Sequence, residues 1–318
     1  MGLIRSYRLR LQRKRWRIRA FRKRRELKQV VDQTRLIRPD DILLYCTQRN
    51  EKVRLRYFLD YYRKMGVGHF FFVDNGSADG SLEYLSEQPD VSVWTTRASY
   101  RRSRFGADWL NWLQMKHAHG HWTLTVDPDE FLVYPFCDTR PLRALTDWLD
   151  ASSIKSFSAM LLDMYPKGRL DDQPYQSGQN PIEIASWFDS GNYSLRRNSK
   201  YANLWIQGGP RMRVFFKDAP EKAPALNKIP LVKWDRRYVY VSSTHMLLPR
   251  GLNQVYDEWA AKKRPVCCFM PNFWIRSVPK RRKNLSAASI MRVLSNTKLM
   301  RPACKMTHSF GASGRNNI

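Results

Sequence analysis

Short apolar runs alternate with stretches of helical periodicity in the first half of the chain. Runs of this length, bounded by turn residues, are typical of strands that are buried on both faces. The pattern predicts strands over 42–47, 69–74, 91–96 and 122–126, and helices over 51–65, 81–87 and 105–118. A β-α-β-α-β-α-β order indicates the α/β class, with an open, mostly parallel twisted sheet and helices on both faces.

The second half of the chain has a less regular pattern. Its apolar positions predict a helix near 139–151 and a strand near 156–165. A turn is expected at Gly208-Gly209-Pro210, because glycine and proline interrupt regular structure. Beyond this turn the pattern predicts short strands over 213–216, 229–234 and 238–242.

The N-terminal region has a different texture, and residues 1–30 are predicted to form one basic helix. Arginine and lysine cover most of its surface, while five apolar residues recur at helical spacing. These residues are Ile4, Tyr7, Leu11, Ile18 and Phe21. Such a helix can lie on an anionic membrane or bind RNA, and it can also be a solvated run of charge.

Charge is unevenly distributed along the 318 residues, which carry a formal net charge of +28. Residues 1–38 contain 15 Lys and Arg against 2 acidic residues, and residues 251–318 contain 13 against 2. Residues 39–250 are close to neutral, with 28 basic and 24 acidic residues. The basic excess therefore lies at the two ends, and the central region does not favour nucleic acid as a partner.

Composition excludes other classes of protein. A hydrophobic content of 43% is too high for a disordered chain. No apolar run approaches the roughly 18 residues of a membrane-spanning helix. Five cysteines without metal-site spacing favour a reducing compartment over a disulfide framework. We therefore expect a cytoplasmic protein, with residues 1–38 at the inner face of the membrane.

Polar clusters follow three of the predicted strands. They are Gln48-Arg49-Asn50-Glu51, the segment 74–80 (DNGSADG) and Asp127-Pro128-Asp129-Glu130. Ligands of open α/β sheets bind beyond the carboxyl ends of the strands, where these clusters would meet. One such cluster can arise by chance, whereas three on one edge indicate a binding site.

Asp127 and Asp129 are the sharpest candidates for chemistry. Residues two apart in extended backbone point the same way, so the two carboxylates can face one cation, Mn²⁺ or Mg²⁺. The alternative is a polar turn after a strand. Asp74 can accept hydrogen bonds from a base or ribose, although turn and helix-cap chemistry also explains residues of its cluster.

These motifs resemble glycosyltransferase family 2, in particular its bacterial branch with DNxSxDGS and DxDEF motifs. The similarity rests on RNE, GVGHFFFVDNGSADGSLEYL and HWTLTVDPDEFLVYP, and continues in LLDMYPKG, GGPRMRVF, KIPLVKW and SSTHMLLP. It runs from about residue 41 to residue 252. The resemblance implies a GT-A fold, a nucleotide-sugar donor and a divalent cation. Asp74 would contact the nucleotide, and Asp127 and Asp129 would hold the metal and diphosphate.

Further site residues are predicted around this framework. Arg49, Glu51, Asn75 and Ser77 lie in the strand-end clusters and are candidates for donor binding. Members of the family generally invert the anomeric centre with a carboxylate base, and the usual base motif is not evident. The candidates for the base are Asp163, Asp189 and Glu130.

Two more features of the second half have open interpretations. Arg211 and Arg213 alternate after the predicted Gly-Gly-Pro turn and can clamp phosphate, or lie on an exposed strand face. His245, at the end of a predicted strand, is a candidate third metal ligand, or a histidine of the core or a turn.

The resemblance stops abruptly near residue 259, after which the chain has no acidic residue. Residues 266–277 can be encoded by codons that give LLFHAKFLDSF when reading starts at the third base of each codon. This peptide resembles the C-terminus expected for the family. A match in the same register exists over 288–299. We interpret residues 260–318 as a poorly ordered basic tail produced by a frameshift. Resequencing the gene tests this hypothesis, because an intact frame would contradict it.

The sequence thus predicts three regions: residues 1–38, a glycosyltransferase domain over 39–259, and the tail. The predicted function is transfer of a sugar from a nucleotide-sugar donor to a saccharide or lipid-linked acceptor in polysaccharide synthesis. The predicted partners also include an anionic membrane surface, bound through residues 1–38. A catalytically inactive scaffold and a basic nucleic-acid-binding protein are the alternatives.

Overall fold

A computed structural model describes residues 3–168, 174–253, 273–276 and 304–305. Seven α-helices and fifteen strands are present in these residues, together with short 3₁₀ turns. In chain order they are α1 (Leu3–Lys23), β1 (Lys28–Val31), β2 (Ile42–Gln48), α2 (Lys52–Lys64), β3 (Val67–Asp74), α3 (Ser81–Ser86), β4 (Val91–Thr95), α4 (Ala107–His117), β5 (Trp122–Thr125), β6 (Glu130–Leu132), α5 (Leu142–Ala151), β7 (Ser156–Asp163), α6 (Pro181–Ile184), β8 (Trp187–Phe188), β9 (Tyr193–Asn198), β10 (Asn203–Gly208), α7 (Gly209–Phe215), β11 (Asn227–Lys233), β12 (Val239–Tyr240), β13 (Leu247–Leu248), β14 (Phe273–Arg276) and β15 (Cys304–Lys305).

The central sheet has the strand order β1-β4-β3-β2-β5-β11-β7-β14-β6. Strands β4, β3, β2 and β5 form a parallel block, as the β-α-β pattern predicts. β1 and β11 pair antiparallel with the two edges of this block. Because β7 and β14 run with the block, most strands of the sheet share one direction. The predicted α/β class, with an open and mostly parallel sheet, is confirmed.

Strand β2 shows how the sheet is covered on both faces. Ile42, Leu44 and Cys46 pack into a core with α2, α3 and α5, whereas Leu43 and Tyr45 face α4 on the other side. Successive side chains of a strand point to opposite faces, so a strand that is buried on both faces is apolar at successive positions. The continuous apolar run is therefore the signal of this central strand.

The helix predicted over 1–30 is shorter in the structure. Helix α1 ends at Lys23, and Lys28–Val31 instead forms the edge strand β1 against β4. Glu26 lies between them and accepts hydrogen bonds from Trp109 Nε1 at 2.9 Å and Ser103 Oγ at 3.2 Å. These distant partners turn the chain out of the helix. None of the helices in the described residues is long and apolar enough to cross a membrane.

The strand predicted over 213–216 is wrong, because this segment belongs to helix α7. Gly208 has φ 148°, and a Cβ there would lie 2.2 Å from the carbonyl oxygen of Asn192, so only glycine fits this turn. Pro210 then occupies the first turn of the helix, where its missing N–H costs nothing. The Gly-Gly-Pro segment therefore starts a helix.

The predicted tail, residues 260–318, lies outside the described residues except for two short strands. β14 pairs with β7 and β6, and β15 pairs with β8. The frameshift interpretation of this tail, and the division of the chain into three regions, stay predictions.

Candidate active site

The carboxyl ends of the parallel strands gather the predicted polar clusters at one edge of the sheet. Gln48 at the end of β2 is in register with Asp74 at the end of β3, and Asp74 is in register with Thr95 on β4. Gln48 Nε2 donates a hydrogen bond to Asp74 Oδ1 at 2.5 Å. Two of the three clusters are thus joined directly by side chains.

Asp74 organises the loop that follows β3. Its side chain is almost completely buried, and it accepts hydrogen bonds from the Ser77 hydroxyl at 2.5 Å and from the backbone N–H groups of Ser77 and Gly76 at 3.0 and 3.1 Å. With Gln48 as a fourth donor, both carboxylate oxygens are used within the protein. The turn chemistry that the sequence allowed as an alternative accounts for these contacts.

The other predicted donor-binding residues of these two clusters differ in exposure. Asn75 donates from Nδ2 to the carbonyl oxygens of Thr96 and Ala98, both at 3.0 Å, and so fixes the loop after β4. Glu51 is buried and paired with Arg54. Arg49 is exposed at this edge, so it is the cation of the first cluster that faces solvent.

The third cluster surrounds a lysine that the sequence interpretation missed. Lys228 Nζ lies 3.0 Å from Glu130 Oε1 and 3.9 Å from Asp127 Oδ2, and its side chain is only 5% exposed. Asp129 and Glu130 are buried, whereas the side chain of Asp127 is 37% exposed. Asp127 is therefore the carboxylate of this motif that a ligand can reach.

A small pocket of about 20 Å³ opens between this cluster and the strand ends. Asp127, Glu130 and Lys228 line it, together with Thr47 and Thr244. Neither threonine hydroxyl has a hydrogen-bond partner within the described residues. A buried hydroxyl needs a polar partner, so the pocket suits a water-sized polar occupant.

The predicted metal ligands fit a divalent cation only in part. Within the described residues, no three His, Cys, Asp or Glu side chains are grouped to hold a metal ion. Asp127, Asp129 and His245 therefore do not form a ready-made three-ligand site. Mg²⁺ nevertheless needs only one or two protein carboxylates when substrate phosphates and water complete its shell. Asp127, which is partly exposed, fits that smaller role.

His245 is held in its neutral form beside the cations of the site. Burial lowers its pKa to about 3, with Lys228 and Arg211 adding to the shift. Its Nδ1 lies 2.6 Å from the carbonyl oxygen of Asn227, and a carbonyl can only accept, so Nδ1 carries the proton. Nε2 is then left with a lone pair, which can accept a hydrogen bond or bind a cation.

The predicted bases and the predicted phosphate clamp form two ion pairs. Arg211 binds Asp163 through both Nε, at 2.6 Å, and Nη2. Arg213 binds Asp189 through Nε and Nη2 at 3.2 and 3.1 Å, and Tyr165 donates a further hydrogen bond to Asp189. Asp163 ends β7, which pairs with β11, so the Asp163 pair lies on the strand next to the one that carries Lys228.

The sequence held one signal for Lys228. It stands alone in the otherwise apolar core of β11, and a charged residue in a buried strand requires a partner. The ion pairs of Asp163 and Asp189 had no such signal, because their partners come from α7, which the sequence pattern assigned to a strand.

Comparisons with known proteins do not assign this chain to a family. No family model matches the chain, and no curated protein matches it. Among solved structures, it resembles the UTP-bound UGPase from Acinetobacter baumannii, with 10% sequence identity and a TM-score of 0.31. The match covers 60% of this chain and 74% of that chain. At this TM-score the likeness carries no weight for function.

Proposed function

We propose that this protein transfers a sugar from a nucleotide-sugar donor to a saccharide or lipid-linked acceptor in polysaccharide synthesis. The observation that carries the proposal is the edge of the sheet where the parallel strands end. There the partly exposed carboxylate of Asp127 lies beside the buried ammonium of Lys228. They line a pocket with two threonine hydroxyls that have no partner among the residues the structure describes. The motif resemblance to family 2 glycosyltransferases supports the same activity.

Sugar transfer from a nucleotide-sugar donor requires the site to stabilise negative charge on the diphosphate leaving group. Lys228 and the exposed Arg49 supply fixed positive charge at this edge. Asp127, together with the diphosphate, would hold Mn²⁺ or Mg²⁺, which supplies further charge stabilisation when bound. Because Asp129 is completely buried, we assign it to support of the loop rather than to direct contact.

Asp163 is the base that we favour for the acceptor hydroxyl. It ends strand β7, beside the strand β11 that carries Lys228, and Arg211 orients it, whereas Asp189 follows β8 and pairs with Arg213 and Tyr165. Glu130 is the weaker candidate, because its carboxylate is buried and paired with Lys228.

Asp163→Asn is therefore expected to lower kcat for sugar transfer by about 10²–10⁴-fold, the usual worth of a general base. Asp189→Asn is the matched control, since it also neutralises an arginine-paired carboxylate. Donor binding should be unchanged in both variants, and steady-state kinetics separates kcat from KM. Equal losses in the two variants would show that the ion pairs act on structure alone.

A screen of nucleotide sugars tests the proposed function itself. We expect the full chain to bind one of them by calorimetry and to hydrolyse or transfer it, with a loss of activity in excess EDTA. Binding without turnover would support the inactive-scaffold alternative. Binding of RNA or DNA in place of any nucleotide sugar would support the nucleic-acid alternative and contradict the proposal.

A further inference from the structure

Helix α1 has two apolar faces, and only one of them packs against the rest of the protein. Leu9 and Ala20 are buried, and Leu9 and Trp16 join a cluster with residues of β12 and β13. Arg19 fixes the same side of the helix through its bond to Asp108 Oδ2 at 2.8 Å. The helix thus packs on α4 and on the β12–β13 pair.

The second apolar face points away from the protein. Ile4, Leu11 and Ile18 are 71%, 48% and 42% exposed. They are spaced by seven residues, so they form one line along the helix. Leu11 and Ile18 each follow a residue of the packed face, Leu9 and Trp16, by two positions. Because one residue turns a helix by about 100°, the two faces lie on opposite sides.

Cations flank this exposed line. Arg8, Lys14, Arg15 and Arg22 are all exposed, and α1 contains no acidic residue. Solubility alone does not explain a line of three large aliphatic side chains at the centre of an exposed helix face. Nucleic acid explains the three aliphatic side chains poorly, since phosphate contacts use cations and polar groups. Tyr7, which is 61% exposed on the same helix, could stack on a base, but tyrosine is equally typical of the headgroup level of a membrane. An anionic lipid surface satisfies both features at once.

We propose that the outward face of α1 is a docking surface for an anionic membrane, such as the cytoplasmic face of a bilayer. The aliphatic line would enter the headgroup region while the flanking cations meet lipid phosphates. This inference does not depend on the proposed activity. If that activity holds, docking also keeps the protein at the surface where a lipid-linked acceptor lies.

Deleting residues 1–38 would be a poor test, since it would also remove β1 from the sheet and Arg19 from buried Asp108. Substitutions on the outward face leave those contacts intact. We suggest Leu11→Ser/Ile18→Ser for the aliphatic line and Arg8→Glu/Lys14→Glu for the cations. The matched controls are Leu195→Ser/Phe215→Ser and Lys64→Glu/Lys217→Glu, which change exposed residues elsewhere in the same way.

The measurement is co-sedimentation of the full chain with phosphatidylcholine vesicles, with and without phosphatidylglycerol, at low and high salt. We expect binding to the anionic vesicles only, weakened by salt. Each Lys or Arg at such a surface strengthens binding about fivefold, so the charge-reversal pair, which removes two cations, should weaken it by about 25-fold or more. The serine pair should lower affinity by a similar factor, and both controls should bind like the unaltered chain.

Three results would overturn the proposal. The unaltered chain could ignore anionic vesicles at low salt. Both outward-face variants could bind vesicles as well as their controls do. The chain could bind a single-stranded RNA but no vesicles, with that RNA binding abolished by Arg8→Glu/Lys14→Glu. None of these measurements uses donor chemistry, so failure here is distinguishable from failure of the proposed activity.

Discussion

Replacing Lys228 by methionine is expected to lower the free energy of unfolding by about 3–5 kcal/mol, the usual cost of removing one partner of a buried ion pair. Its ammonium lies 3.0 Å from Glu130, whose side chain is only 1% exposed. Methionine has a similar length and no charge, so the substitution leaves the carboxylate in a low-dielectric environment without this cation. Urea unfolding followed by tryptophan fluorescence measures the loss.

Lys233→Met provides a matched control on the same strand. Lys233 pairs with Asp150, but both side chains are more than one-third exposed, so the loss should stay below about 1 kcal/mol. The double variant Lys228→Met/Glu130→Gln should recover part of the stability, because it also removes the buried carboxylate charge that Lys228 balances. A Lys228→Met variant as stable as Lys233→Met would show that this pair does not stabilise the fold.

The central strands could be predicted from the sequence because their signal is local. β2, β3 and β4 are buried on both faces, so each is a short, largely apolar run between turn residues. The topology rules for α/β sheets then place the polar strand ends on one edge. The contact between Gln48 and Asp74 is the direct outcome of that order.

The wrong predictions come from segments whose structure depends on distant partners. Val30 and Val31 favour a strand, but the helix indicated by the residues from Ile4 to Phe21 was extended to residue 30. The pairing of β1 with β4 decides the outcome. In α7, Val214 and Phe215 suggested a strand, whereas Gly208 and Pro210 fix the start of a helix. Local propensity is a weak guide where the backbone is set by a turn or a remote strand.

The site was predicted less completely than the fold for a related reason. Each strand-end cluster is contiguous in sequence, but its counter-charges are not. Lys228 reaches Glu130 because β11 inserts antiparallel between β5 and β7, and Arg211 lies 48 positions from Asp163. A single sequence shows that charges exist, and it does not show which of them meet. All three candidate bases thus proved to be ion-paired, and Asp127 is the accessible carboxylate of the metal motif.

Asp127→Asn is expected to reduce donor turnover by about 100-fold or more, the range observed when a ligand shell or a charge-stabilising group is lost. The side chain is partly exposed and lies 3.9 Å from Lys228 Nζ, beyond hydrogen-bond distance. Its removal should therefore change the free energy of unfolding by less than about 0.5 kcal/mol. Donor hydrolysis and urea unfolding of the same samples measure the two effects.

Asp138→Asn is the control, because it removes an exposed carboxylate from the segment that follows the same motif. It should leave turnover unchanged. Comparing the Mn²⁺ dependence of the variants adds a second readout. If Asp127 acts through a cation, Asp127→Asn should need much more Mn²⁺ for half-maximal turnover, whereas Asp138→Asn should not. Full turnover by Asp127→Asn in excess EDTA would exclude Asp127 from the site. Loss of turnover in Asp127→Asn, with no effect of EDTA on the unaltered chain, would place the stabilising charge on Lys228 and its neighbours instead.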